Sequence, residues 1–481
     1  MKYGLDMTLD EINADEDCAL AVDRILPGLR QKVMQNPMAR TLSLRKIAQY
    51  AGGAFPSAAL ESVDQALQKI GAGKGRTDAE KRKIAQYVKI AGEDRKRAAS
   101  RGRSVCAYEN IRLPFDGQKD KVRTAIEPGK PFCDTKGERI QAHGGCVVRE
   151  DGVYYWIGEN KEHTDGGRTG TIWTWGIRCY RSVDLMNWED LGLIILPVLD
   201  DPDSCLFPDR RVDRPHLFRN EETNRYVVWV KLSGNDACFA VFSSDALTGP
   251  YHLEREAYRP FDLEVGDFDI VWDEDTGKRY LFLAAGQQGV VTLELTRDGL
   301  GAERCISSAY TGLHAPFARE GIAVFERGGQ KFMLTSGMTG YIPNQSDAAA
   351  AQRWTDPFQP VGDPFPDDAS LSSCNSQFTQ VLRLPGAEDE YIALCDRWVP
   401  DYPMDREKEM MFRRVIASHY DPAHYSCTGE EQAVFEAAPG LETADTSRAD
   451  YVWLPIRFVE DGGSVRPVID WTDRWVPEIK A

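Results

Sequence analysis

Residues Arg319–Asn344 read REGIAVFERGGQKFMLTSGMTGYIPN, two β-branched and aromatic runs hinged on Arg-Gly-Gly. Such runs around a glycine turn predict a β-hairpin. The device recurs along the chain. GVYYWIGE, NRYVVWVKL, KRYLFLAA and DEYIALCDRW are runs of the same kind, and turns such as EDG and DEDTG precede most of them. The hairpins belong to units about 50 residues apart that begin near His143, Asp213, Asp269, Glu320 and Gln377, the signature of a propeller array. Five units predict an all-β five-bladed β-propeller of four-stranded blades over residues 104–481. In that architecture the innermost strand of each blade lines the channel. The polar residues opening the units then converge at one channel end. Taken singly, each reads as a strand-opening turn residue; several carboxylates at equivalent places point to a site.

Residues 1–103 follow a period of three to four and predict an N-terminal α-helical module. Leu20, Val22, Ile25, Leu26 and Leu29 carry the rhythm through Cys18–Met34. Thr41–Ala51 and Pro56–Ile70 continue it, with Ser57 placed to cap the latter. Thr77 and Asp78 open a charged helix. Its basic clusters (Lys81, Arg82, Lys83; Arg95, Lys96, Arg97) alternate with Glu80, Glu93 and Asp94 and read as a solvated face. The module is expected either to cap the propeller or to pair a homo-oligomer.

The chain carries 58 Lys plus Arg against 75 Asp plus Glu, a net charge of −17. Such an excess repels phosphate backbones and anionic lipid, and argues against nucleic-acid and membrane-surface partners. It does not repel a neutral sugar. No apolar run approaches the ~18 residues of a membrane helix. The start, MKYGLDMTLDEINADED, lacks the apolar stretch of a secretory signal, and the 11 cysteines show no CxxC pair. A reduced, cytoplasmic place without a zinc site is the expectation.

Several segments resemble one known family, in matching order. They are AHGG ending at Gly145, YYWIGENK (Tyr154–Lys161), RCYRSVDLMNWEDLG (Arg178–Gly192), DRPHLFRN (Asp213–Asn220) and DFDIVWDEDTGKRYL (Asp267–Leu281). The Arg319–Asn344 stretch follows, then NSQFT (Asn375–Thr379), CDRW (Cys395–Trp398) and YVWLPIRF (Tyr451–Phe458). Together they resemble glycoside hydrolase family 43, and within it the galactan 1,3-β-galactosidase-like branch. The resemblance implies an inverting exo-glycosidase that releases a terminal sugar, galactose first, from oligosaccharides. A β-xylosidase, α-L-arabinofuranosidase or galactofuranosidase of the same fold is the alternative, as is a non-catalytic carbohydrate-binding propeller.

Glycoside hydrolysis requires an acid for the leaving oxygen and, in an inverting enzyme, a water-activating group ~6.5–9.5 Å away. The resemblance gives Glu320 as the acid and Asp269 as the aspartate that tunes its pKa; Asp267, in the same strand phase, is the rival. Where most members carry an aspartate base, this chain has His143, Gly144 and Gly145, and His143 reads as a structural or channel residue. The branch instead has a glutamine, matched by Gln377, proposed to act as an imidic-acid base. Read on chemistry alone, Gln377 orients water or a hydroxyl, and both readings stand open. Asp213 is a third choice for the base, and otherwise a sugar-binding carboxylate where the branch has glutamate. Glu159 matches a substrate-binding glutamate, or else a hairpin salt bridge. Thr339 and Tyr341 offer the hydroxyl and ring face that a sugar requires. Trp173 and Trp175 read equally as aromatic wall and as packing, outside the site. The chemistry requires no metal cofactor. A structural channel ion such as calcium is compatible with the family, although DEDTG at Asp273–Gly277 is not a complete calcium loop.

Overall fold

The computed structural model describes the chain except residues 1–2, 27, 34–36, 51–54, 56, 73–76, 118–120, 165–171, 235, 387–388, 442, 462–463 and 480–481. It forms two compact units: Met1–Lys96 with Val198–Phe207 and Ser233–Ala237, and the remainder.

In the first unit, α1 (Leu9–Ala14), α2 (Glu16–Ile25), α3 (Leu29–Val33), α4 (Pro37–Arg40), α5 (Leu44–Tyr50) and α6 (Ser57–Ala72) succeed one another. Leu9, Ile12, Val22, Leu44, Val63 and Leu67 form their core. The stretch predicted as helical from Cys18 to Met34 is broken: α2 ends at Ile25, and Gly28 takes a left-handed φ of +80° before α3. Leu20, expected inside, is 62% exposed, because the buried stripe of α2 runs through Cys18 and Val22. The side chain of Ser57, predicted as a cap, lies outside the described residues. α7 (Asp78–Ser100) does open where predicted, with Thr77 as its cap. The Thr77 hydroxyl accepts from the Glu80 N–H at 3.1 Å, and the Glu80 carboxylate accepts from the Thr77 N–H at 2.7 Å, a reciprocal cap. α8 (Ala107–Asn110) carries the helical region to residue 110. No helix among the described residues is long and apolar enough to cross a membrane.

The second unit holds five four-stranded antiparallel blades in chain order. Blade 1 is β1 (His143–Glu150), β2 (Val153–Glu159), β3 (Ile177–Ser182) and β4 (Glu189–Ile195). Blade 2 is β5 (Arg211–Arg219), β6 (Tyr226–Ser233), β7 (Cys238–Ser244) and β8 (His252–Tyr258). Blade 3 is β9 (Phe268–Asp273), β10 (Lys278–Ala284), β11 (Val290–Leu295) and β12 (Ala302–Ala309). Blade 4 is β13 (Arg319–Arg327), β14 (Gln330–Gly337), β15 (Asp347–Ala351) and β16 (Gln359–Gly362). Blade 5 is β17 (Gln377–Arg383), β18 (Tyr391–Arg397), β19 (Asp450–Asp461) and β20 (Ser464–Ile469). The five units begin within two residues of the places the sequence predicted.

The first strands form a ring: β1 lies beside β5, β5 beside β9, β9 beside β13, β13 beside β17, and β17 beside β1. No blade shares strands from both chain ends, so packing closes the ring. Trp156 of blade 1 meets Tyr451 and Trp453 of blade 5, each at 4.5 Å between ring centroids. Gln380 ties the same seam by accepting from the Val147 N–H at 2.7 Å. Between β18 and β19 the chain inserts α9 (Arg406–Tyr420) and α10 (Gly429–Glu436). Phe412 of α9 and Ile342 share a small core with Ala438. The sequence reading missed this insert, although Phe412, Val415 and Ile416 have helical spacing after an Asp405 cap.

Candidate active site

The residue after each of three strand-opening groups is left-handed: Gly144 (φ +59°) after His143, Arg214 (φ +53°) after Asp213, and Gly321 (φ +58°) after Glu320. Bulges interrupt β1 between His143 and Cys146, and β13 between Glu320 and Ala323. A bulge re-aims the side chains beside it, here at the channel mouth. At Gly321 a Cβ would stand 2.7 Å from both Gln377 Cγ and Ser336 Oγ, so glycine is what lets Gln377 reach Glu320.

Gln377 Nε2 donates to Glu320 Oε1 at 3.2 Å and to Ser336 Oγ at 3.0 Å. Its Oε1 accepts from Arg214 Nη2 at 2.7 Å and from Trp398 Nε1 at 3.1 Å. Arg214 also donates to the Phe378 carbonyl at 2.7 Å and pairs with Asp267 at 2.8 Å. Lys231 Nζ donates to Asp267 at 2.7 Å, and Asp267 Oδ2 accepts from the Gly321 N–H at 3.0 Å.

The aspartate set against the Glu320 turn is therefore Asp267, not Asp269. Asp269, two residues on, shares Asp267's strand parity but bonds to the strand interior. It accepts from the N–H groups of Val324 (2.8 Å) and Ile270 (2.7 Å), with the His216 ring 3.4 Å away. Burial pushes the Asp269 carboxyl up to about 7, against those backbone donors.

The other two carboxyls are driven apart. Burial, and next the negative charge of Asp267, push Glu320 from 4.5 up to about 8, against Lys231 and Arg214. Burial would also raise Asp267, but the Arg214 and Lys231 cations outweigh it and hold Asp267 well below the carboxylate range. At neutral pH, Asp267 is an anion and Glu320 keeps its proton.

Tyr341 and Trp398 meet at 5.1 Å between ring centroids, and with Asn375, Gln377 and Asp396 they line a narrow opening. Thr339 does not line it. The Thr339 hydroxyl donates to the Ile342 carbonyl at 2.5 Å and accepts from Asn344 Nδ2 at 2.6 Å, so it shapes the loop that presents Tyr341. Glu159 is 1% exposed, pairs with Lys161 at 2.8 Å and accepts from the Arg214 N–H at 2.9 Å. Burial first, against Lys161, pushes its carboxyl up to about 7. These contacts include the salt bridge to Lys161. Asp213 lies 3.6 Å from Lys161, with its side chain 19% exposed.

His143 is fully buried between Asp396 and Gln141, each 3.2 Å from a ring nitrogen. The ring nitrogens of His216 each face a backbone carbonyl, of Arg214 and Thr379, at 3.2 Å. Burial lowers His216 to about 4. Among the described residues the channel brings no three His, Cys, Asp or Glu ligand atoms together.

Sequence reasoning missed Arg214, Lys231, Ser336 and Trp398. The signals were present: a cation beside a strand-opening carboxylate in DRPH, and a lysine closing the apolar run NRYVVWVKL.

Residues 142–363 match the sequence profile described as Glycosyl hydrolases family 43. Among solved structures, a GH43 beta 1,3 galactosidase is similar with a TM-score of 0.56 and 28% identity over 73% of this chain. The match covers 63% of that relative, so this chain spans less than two thirds of its length. An exo-beta-1,3-galactanase from Phanerochaete chrysosporium, solved with galactose, is 22% identical with a TM-score of 0.57, covering 74% of this chain and 69% of its own. One from Clostridium thermocellum is 24% identical with a TM-score of 0.54, covering 73% and 66%. The last two show the fold. No curated protein sequence matches the chain.

Proposed function

We propose that this chain, which matches the glycosyl hydrolases family 43 profile over residues 142–363, removes terminal β-galactosyl units from oligosaccharides with inversion at the anomeric carbon. One observation carries the reading: a protonated Glu320 is held beside an ionised Asp267 and accepts a hydrogen bond from Gln377, which lines the opening walled by Tyr341 and Trp398. That pairing is what general-acid catalysis at neutral pH requires. The galactose preference rests on the similarity to the beta 1,3 galactosidase.

In the proposed reaction Glu320 gives its proton to the glycosidic oxygen as the bond to the anomeric carbon breaks, and the electron pair leaves with that oxygen. Water adds to the opposite face and passes a proton to Asp213. Gln377 holds the acid in place. Both N–H donors aimed at its Oε1 require an oxygen that accepts. An amide oxygen suits both donors, and in this reading Gln377 acts as a neutral amide. Asp267 keeps the acid protonated, and Tyr341 and Trp398 hold the ring of the sugar.

The test is hydrolysis of β-1,3-galactobiose by the purified chain, followed by proton NMR. The expected first-formed sugar is α-galactose. First-formed β-galactose overturns inversion and the role of Asp213. No cleavage, alongside turnover of a xylosyl or arabinofuranosyl glycoside, overturns the galactose reading.

A further inference from the structure

A second concavity, of about 450 Å³, lies on the other side of the chain segments that build the pocket. Asn375, Gln377, Asp396 and Trp398 line the first opening; Cys374 and Arg397, their immediate chain neighbours, line the second together with Asp367, Asp470 and Trp471. Strand alternation explains the division at β18, where successive side chains leave on opposite faces. The intervening loop is strained. Leu371, Ser373, Cys374 and Asn375 all have φ between +55° and +57°, and the Asp368 carboxylate holds the turn by accepting from the N–H groups of Ser372 and Cys374, each at 2.9 Å. Strain of this kind persists only where surrounding contacts enforce it, and it clusters at ligand sites.

Trp471 is 43% exposed, yet fixed. Its Nε1 donates to Asp473 at 2.8 Å, which leaves the ring face as what it offers a ligand. The Arg397 guanidinium stands 5.5 Å from the ring centroid, itself pinned by donating to the carbonyls of Cys374 (2.8 Å) and Asn375 (3.2 Å). A Cβ on Gly129 would stand 3.2 Å from Trp471 Cη2, so the backbone packs against the ring edge. A rigid aromatic plane open to solvent loses little conformational entropy on binding. Asp367 is exposed beside it, and Asp470, paired with Arg457 at 3.1 Å, supplies further acceptor oxygens. An aromatic plane flanked by planar acceptors matches a pyranose, which stacks its C–H face and donates its hydroxyls.

We infer that the Trp471 concavity is a second saccharide-binding site, which holds a galactosyl unit of a β-1,3-linked chain away from the bond being cleaved. The ligand class rests on the galactoside reading above; the site itself does not depend on turnover.

The test is native gel electrophoresis of the full chain carrying Glu320→Gln, in gels containing β-1,3-galactan. Retardation is expected, and adding Trp471→Ala should weaken apparent affinity about tenfold. Trp471→Phe should restore most of it. Asp367→Asn, at an exposed position where misfolding is not at issue, should cost about threefold. Absence of retardation, or equal retardation with and without Trp471→Ala, overturns the site. Cleavage of an aryl β-galactoside by the unaltered chain is read separately. Cleavage without a Trp471 effect leaves the function standing and removes this site; a Trp471 effect without cleavage does the reverse.

Discussion

Asp267→Asn removes one negative charge while preserving the shape of the side chain. In the native site, Glu320 stays protonated up to about 8 through burial and through that charge. A like charge within ~4–6 Å accounts for ~1–3 pH units of such a shift. Arg214 and Lys231 remain, and without Asp267 to neutralise them both favour an ionised Glu320. In the proposed mechanism the acid form is the active form, so activity is present below the Glu320 pKa and lost as pH rises through it. The basic limb of the kcat/KM profile therefore moves to lower pH. With a fall of ~2 units, the protonated fraction at pH 7 drops from roughly nine-tenths to roughly one-tenth, about a tenfold loss that shrinks on acidification. The assay is kcat/KM for β-1,3-galactobiose between pH 4 and 9, with Asp269→Asn measured in parallel. Asp269 bonds to the Val324 and Ile270 backbone, so its substitution should lower thermal stability and leave the limb in place. A basic limb at the native pH for Asp267→Asn, or a displaced limb for Asp269→Asn, refutes the reasoning.

Glu320→Gln should cost ~10²–10⁴-fold on galactobiose and much less on a dinitrophenyl galactoside, whose leaving group needs no proton; equal losses on both remove Glu320 from the acid role. Asp213→Asn should abolish turnover of either substrate while binding persists, whereas Gln377→Ala, which frees the acid to wander, should lower kcat and disturb the pH profile without abolishing turnover; steady-state kinetics of the pair decide it, and the reverse order of severity returns the base to Gln377. Phe412→Ala empties the small core under Ile342, typically a loss of ~3–5 kcal/mol for a buried phenylalanine; it should loosen the Tyr341 loop and raise KM several-fold, and an unchanged KM with a lowered Tm would confine the insert to stability.

The propeller was legible because each blade repeats a local signal: a short turn, in most blades a glycine turn, preceding an aromatic, β-branched run. That signal is short-range and survives without knowledge of contacts. The same pattern marked Glu320 as a polar residue opening a strand, while its proposed role as the acid came from the family resemblance. The choice between Asp267 and Asp269 was not. Side chains two apart in a strand share a face, and what separates these two is one residue of strand onset: Asp267 precedes β9 and turns to Arg214, whereas Asp269 lies within it and bonds to Val324 on β13. The cations were harder still, since Arg214 and Lys231 come from one blade to serve an aspartate of the next. Leu20 failed in a different way, because periodicity marks a stripe but not which edge of the stripe meets neighbouring helices.

The ring of strands also bears on where the water is activated. An inverting enzyme leaves ~6.5–9.5 Å between its acid and its base. β17 lies directly beside β13, and the Gln377 amide is in contact with Glu320 at 3.2 Å. A group that close can steady the acid but leaves no space for a sugar carbon and a water between them. The opposite face of the sugar must be served from farther around the channel. Of the innermost strands not adjacent to β13, β1 opens with His143, Gly144 and Gly145, none of them a carboxylate. The other is β5, where Asp213 keeps part of its side chain open and the left-handed Arg214 turns the chain immediately afterwards. Arg214 spans the gap between the two functions. Its backbone follows the proposed base, while its guanidinium grips Asp267 and the Gln377 oxygen on the acid side. A strained, fully functional cation at that point holds acid and base in one frame, which is a physical reason for an arginine to accept a positive φ there.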